Sequence, residues 1–123
     1  MNGIMSNKRV ILKFNDQMGK AEGGMVMFDG GTVDSDDKLW WAIYGGGKIL
    51  KIDPKTDELT KISISQFPIC TCMTFGGSDY KTMLVTSGAG SGEDGKPMLG
   101  GTTGGVCLLQ FKDDTKGLPP AVW

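Results

Sequence analysis

The chain has no histidine among its 123 residues and only three cysteines, Cys70, Cys72 and Cys107. A tetrahedral zinc site of the usual histidine and cysteine kind would therefore run short of ligands. Three is also too few, and odd, for a disulfide framework, which fits a reducing compartment. No excess of basic charge exists either. Lysine and arginine total 13 against 14 acidic residues, a formal net charge of -1. A dense positive footprint is what phosphate binding needs, so nucleic acid is excluded as an expected partner. Long apolar runs are missing as well: the longest, Leu39 to Tyr44, is far too short to cross a bilayer. The opening residues MNGIMSNKRV carry neither the apolar core nor the cleavage site of a signal peptide. The expectation is a cytoplasmic chain with no membrane partner.

What the chain does have is glycine, 20 residues against 5 prolines, gathered in pairs and triplets between apolar segments. That pattern is turn punctuation for short strands. Between the turns, β-branched, aromatic and long apolar residues predict strands at roughly 8–14, 30–34, 39–44, 48–53, 59–64, 70–75, 83–86 and 105–111. No segment shows a helical period. Thr60, Ile62 and Ile64 share one face of their strand and Lys61, Ser63 and Ser65 the other, which predicts half exposure. The stretch LWWAIY is apolar throughout and predicts a strand covered on both faces.

A faint internal repeat orders these strands. DGGTVD…LWWAIYGGGKILKI and TFGGSD…MLVTSG…TGGVCLLQF follow each other at about 45 residues, the period of propeller blades. The second copy carries an insertion. Each copy reads as one blade of up to four antiparallel strands. The expected fold is all-β: a single partial β-propeller domain over residues 1–123, about two four-stranded blades plus one strand, NKRVILKF, of a third.

Those residues also carry a resemblance. The series Asp29-Gly30-Gly31-Thr32-Val33-Asp34, Leu39-Trp40, Ala42, Gly46-Gly47, Ile49 and Ile52-Asp53-Pro54 resembles, without a gap, a signature of the regucalcin, gluconolactonase and luciferin-regenerating enzyme family. GIMSNKRVILKF upstream and TCMTFGGSDYKTMLVTSG downstream are similar to further segments of the same proteins. The resemblance spans roughly Gly3 to Pro119 and covers only the C-terminal portion of the family pattern. It implies a six-bladed propeller that hydrolyses a sugar lactone with a divalent metal, Ca²⁺, Zn²⁺ or Mn²⁺. It also implies that Asp29 is both metal ligand and catalytic proton acceptor and donor. A hard cation held by oxygen donors, beside a carboxylate able to deprotonate water, is chemistry suited to that reaction. Read on its dipeptide alone, Asp29-Gly30 fits a turn start better than a site.

Three departures from the family pattern stand out. Phe28 replaces a proline, and Asp37 and Asp57 replace turn glycines, a change aspartate tolerates because it enters left-handed backbone more readily than most residues. The family's other two protein ligands, a glutamate and an asparagine from earlier blades, have no counterpart; Glu22, Glu58, Glu93, Asn2, Asn7 and Asn15 all stand in other contexts. The expectation is a fragment or truncated relative of a lactonase, inactive alone and prone to self-association through open blade edges. The alternative is a non-catalytic calcium-associated or interaction module.

Other motifs read more plainly. GSGEDGK, residues 90–96, has phosphate-loop spacing, but Pro97 replaces the hydroxyl ligand and no helix pattern follows, so a long glycine-rich loop is expected. Cys70 and Cys72, two apart, are expected on one strand face as core residues, and DSDDK, residues 34–38, as a hairpin turn with Asp34 structural. Trp40 and Trp41 are expected in the core.

Overall fold

The computed structural model describes residues 6–13, 26–64, 67–89 and 104–120. Among the described residues the elements are seven strands: β1 (Met27–Val33), β2 (Leu39–Tyr44), β3 (Lys48–Ile52), β4 (Leu59–Ser63), β5 (Cys70–Gly76), β6 (Thr82–Ser87) and β7 (Gly105–Gln110). They form two antiparallel meanders, one in the order β1-β2-β3-β4 and one in the order β5-β6-β7. Each meander is a blade, and the two stack face to face as a partial β-propeller.

Alternation along β2 explains the stacking. Trp40 and Ala42 point with Ile49 into the layer between the blades, where they meet Cys70, Met73, Met83 and Val85. Ile43 points the other way and joins Leu50 and Ile52, covered by Ile11, Leu12, Phe28 and Trp41. An all-apolar strand is thus buried on both faces, as expected. Trp40 is 1% exposed and packs edge-on against Phe75 and Phe111, at centroid distances of 5.7 and 5.4 Å.

Tight turns follow the glycine and aspartate pattern. Asp37 and Asp57 both take φ of 60°, the left-handed geometry expected of residues standing where the related pattern has glycine. Residues 8–13 differ from expectation. They form no strand, because a strand exists through its ladder and none of the described residues pairs with them. Ile11 and Leu12 lie instead on the outer face of the first blade, and Arg9 reaches the Pro54 carbonyl and Asp57. Residue 14 and the phosphate-loop-like segment 90–96 lie outside the described residues.

One acid ties the two blades together. Asp34, 1% exposed, accepts bonds at Oδ1 from the Asp36 and Lys38 amides, both at 2.9 Å. Its Oδ2 accepts the Trp40 indole N–H at 2.9 Å and faces Lys51 Nζ at 3.8 Å. The backbone of Asp34 bridges to Gly117, and the Ser35 amide donates to the Lys116 carbonyl at 2.8 Å. Gly117 in turn donates to the Tyr80 carbonyl of the β5–β6 turn at 2.9 Å. Its lack of a side chain matters: a β-carbon there would lie 2.2 Å from Phe75 Cβ. Residues 115–117 therefore strap the first hairpin of one blade to the first hairpin of the other.

Replacing Asp34 by asparagine keeps the shape but leaves one oxygen to serve three donors and turns an N–H₂ toward another N–H. Leaving a buried donor unsatisfied costs on the order of 2 kcal/mol. Chemical denaturation of Asp34→Asn is expected to show that loss as a lowered midpoint with an unchanged slope.

Candidate functional site at the bulged inner strands

The first strands of the two blades, β1 and β5, lie side by side, and each carries a bulge. In β1 the register passes from Phe28↔Ile43 to Gly31↔Trp41, so Asp29 and Gly30 together oppose the single residue Ala42. In β5 it passes from Cys70↔Ser87 to Cys72↔Thr86, leaving Thr71 extra. Bulges bend a strand and re-aim its side chains, and they gather beside functional sites.

The two bulges meet. A β-carbon added to Gly30 would stand 2.7 Å from Cys72 Sγ and 2.8 Å from the Thr71 carbonyl oxygen. One added to Gly31 would stand 2.6 Å from the Trp40 carbonyl. Glycine at both positions is what lets β1 approach β5 and β2 this closely. Asp29 is therefore not the start of a turn. It lies inside β1, exposed, at the point where the inner strands touch. No described residue gives its carboxylate a hydrogen bond or a cation. Across from Gly30, in the second blade, Thr71 Oγ1 and Thr86 Oγ1 lie 2.8 Å apart. These threonines were not singled out in the sequence, since their place follows from a bulge that no turn residue announces.

The same bulge corrects the cysteine expectation. An extra residue at Thr71 reverses the pleat, so Cys70 is fully buried while Cys72 is exposed, and the two do not share a face. Burial, and then the nearby Cys107 thiol, push Cys70 up to about 11, so it is a protonated core thiol at neutral pH. Burial pushes Cys107 up as well.

A concavity of about 380 Å³ lies at the turn end of the blades, lined by Lys38, Lys51, Asp53, Glu58 and Asp113 over Trp40. Most of its charge is already committed. Lys38 Nζ and Asp53 Oδ2 lie 2.5 Å apart, and Lys51 sits 5.2 Å over the Trp40 ring and 3.4 Å from Thr115 Oγ1. The Lys38 ammonium, and next the Lys55 amide, hold Asp53 at about 2 against an ordinary 3.8. Paired charges that brace turns are a structural device. At Asp29, by contrast, a carboxylate without a described partner lies in the bulged strand that touches the next blade.

A divalent cation of the calcium or magnesium type needs several oxygens at once. Among the described residues no group of three or more histidine, cysteine, aspartate or glutamate side chains could hold a metal ion. Asp29 with its neighbours does not, by itself, fit one.

Two stacked antiparallel blades whose inner strands meet at Gly30 define a portion of a β-propeller. Residues 1–89 match the family model described as SMP-30/Gluconolactonase/LRE-like region, and the chain belongs to that family. It is 34% identical to regucalcin of Danio rerio over 119 residues, 96% of this chain and 37% of that one. It is 33% identical over 87 residues to YvrE of Bacillus subtilis, a protein named for a proposed sugar lactone lactonase activity, covering 70% of this chain and 27% of that one. The solved structure of a luciferin-regenerating enzyme superposes with a TM-score of 0.63 at 28% identity, over 74% of this chain and 30% of that chain. The matches thus cover between 27% and 37% of the length of these relatives.

The Lys38–Asp53 pair has a pH signature. Because the folded value of Asp53 is depressed, its stabilisation is fully present above the ordinary 3.8 and is lost as pH falls through about 2. Asp53→Asn is expected to flatten the decline in stability across that window, measured by urea titration at stepped pH. Its effect at neutral pH should be modest, because the pair is partly exposed.

Proposed function

We propose that this chain is part of, or a truncated relative of, a metal-dependent enzyme that hydrolyses a sugar-derived lactone, and that it is inactive alone. The observation that carries the reading is Asp29: an exposed carboxylate with no described partner, set in a bulge on the inner strand. Family membership and the likeness to regucalcin and YvrE support it. A group placed so can accept a proton from water as its oxygen bonds to the lactone carbonyl carbon. It can then return that proton to the ring oxygen as the ester C–O bond breaks. The metal would polarise the carbonyl, and the ligands it requires beyond Asp29 would have to come from blades outside these residues. A cytoplasmic setting belongs to the same reading.

The second reading, a non-catalytic module, is favoured by one observation: the described residues gather no set of three metal-ligating side chains. Catalysis in a completed propeller separates the two. Residues 1–123 alone are expected to hydrolyse no aldonolactone above background with Ca²⁺, Zn²⁺ or Mn²⁺. When the preceding blades of a regucalcin are joined ahead of β1, turnover is expected. Asp29→Asn in that chimera should then lower it by about a hundredfold or more and weaken Ca²⁺ binding in calorimetry. Normal turnover and metal affinity in Asp29→Asn would reduce Asp29 to a bulge residue.

A further inference from the structure

The inward face of the first blade changes character along its strands. Alternate residues of a strand share a face, so the register defines rows across it. Ala42, Ile49 and Ile62 form an apolar row that belongs to the layer between the blades. One step toward the turn end, Trp40, Lys51 and Thr60 lie side by side. A further step brings Lys38, Asp53 and Glu58, where the Asp53 amide donates to the Glu58 carbonyl at 2.9 Å. The residues after β7 supply the facing wall: Phe111 packs on Trp40 and, with Asp113 and Thr115, completes the concavity of about 380 Å³. That volume lies within the range of small-molecule sites, about 300–1,000 Å³.

The charges around this cavity do not balance. Lys38 pairs with Asp53, and Lys51 is shared between Asp34, at 3.8 Å, and Asp113. Two ammonium groups thus serve four carboxylates. Glu58 has no side-chain partner among the described residues. Asp113 accepts the Thr115 amide at 3.0 Å, and that bond, followed by the Thr115 hydroxyl, holds its carboxyl below the usual range, so it is ionised at neutral pH. A carboxylate has about four acceptor positions, so both acids can take further donors. Surplus negative charge on a cavity wall selects a cation. An inorganic ion does not suit, because among the described residues no three ligating side chains come together for one. Glu58 and Asp113 instead stand on different walls, and Ile62 and Phe111 add apolar surface to the same lining. A ligand that answers both acids carries positive charge at its two ends and carbon between them.

We propose that this concavity binds a small organic dication of the diamine or aminoguanidine class, with one cationic end on Glu58, the other on Asp113, and the methylene chain over Ile62 and Phe111. Asp29 takes no part in it, and the proposal does not rest on the lactone reading, because its readout is binding and not turnover.

Agmatine, a guanidinium and an ammonium joined by a butyl chain, is the probe. Titration calorimetry on the 123-residue chain at low salt is expected to give one saturable site with a Kd on the order of 1 mM or below. Amide shifts in nuclear magnetic resonance should centre on Glu58, Thr60, Phe111 and Asp113. Glu58→Gln keeps the shape, removes the charge and should weaken binding about tenfold. Thr60→Lys sets the chain's own ammonium at the cavity and should abolish it. Both positions are exposed, so the far-ultraviolet β signal should persist in each variant. Asp114→Asn removes a neighbouring exposed charge that does not line the cavity and should leave affinity within about twofold. Butylamine, with a single cationic end, should bind about tenfold more weakly than agmatine. The proposal is overturned if agmatine does not saturate, if butylamine binds as well, or if glutarate or Ca²⁺ binds this cavity more tightly. Equal loss in Asp114→Asn and Glu58→Gln would also overturn it, by reducing the effect to general attraction toward an acidic surface.

Discussion

The hydrogen bond from the Trp40 indole to the buried Asp34 carboxylate is the contact on which the rest of the described structure depends. It fixes the largest side chain between the blades, and the Phe75 and Phe111 rings pack against that side chain in turn. The same carboxylate closes the β1–β2 turn through two amides, and its backbone receives the strap at Gly117. A buried carboxylate is costly unless its oxygens are met. Here three N–H groups and the Lys51 ammonium meet them, so turn, core and strap form together or not at all.

Asp29 and Asp34 lie five residues apart in one sequence run and have opposite fates. Asp34 spends its lone pairs on the fold, which makes it useless as a base. Asp29 spends none on any described residue, which leaves it available to solvent, a cation or a substrate. The difference arises from backbone geometry. The bulge opposite Ala42 shifts Asp29 onto the rim of the inner strands, whereas Asp34 falls just past the last β1 pair, where the chain turns back over Trp40. Glycines 30 and 31 make the bulge possible, since any β-carbon there would collide with β5 or β2.

Much of this architecture was legible in the residues because it is written in local patterns. An unbroken apolar run placed β2 with both faces covered, glycine clusters placed the turns, and Asp37 and Asp57 took the left-handed geometry their positions demanded. What was not legible is what a single extra residue or a distant partner decides. The bulge at Thr71 put Cys70 and Cys72 on different faces, and no composition signal marks a bulge without glycine. Residues 8–13 have strand composition but no ladder, because pairing depends on a neighbour and not on propensity. The strap at residues 115–117 joins positions some eighty residues from Asp34, beyond any local pattern. For the site, Asp29 stood out through family resemblance, while Thr71 and Thr86 emerged only when β5 and β6 were paired.

If Asp34 is the tie between the blades, the groups it orders should open only when the whole unit unfolds. Hydrogen exchange followed by nuclear magnetic resonance on the 123-residue chain measures this group by group. The account predicts that the Trp40 indole proton, the Lys38 amide and the Ser35 and Gly117 amides of the strap exchange with one common free energy, equal to that of the β2 and β3 core amides. An indole proton that exchanges at the rate of an exposed tryptophan while the core amides stay protected would contradict it.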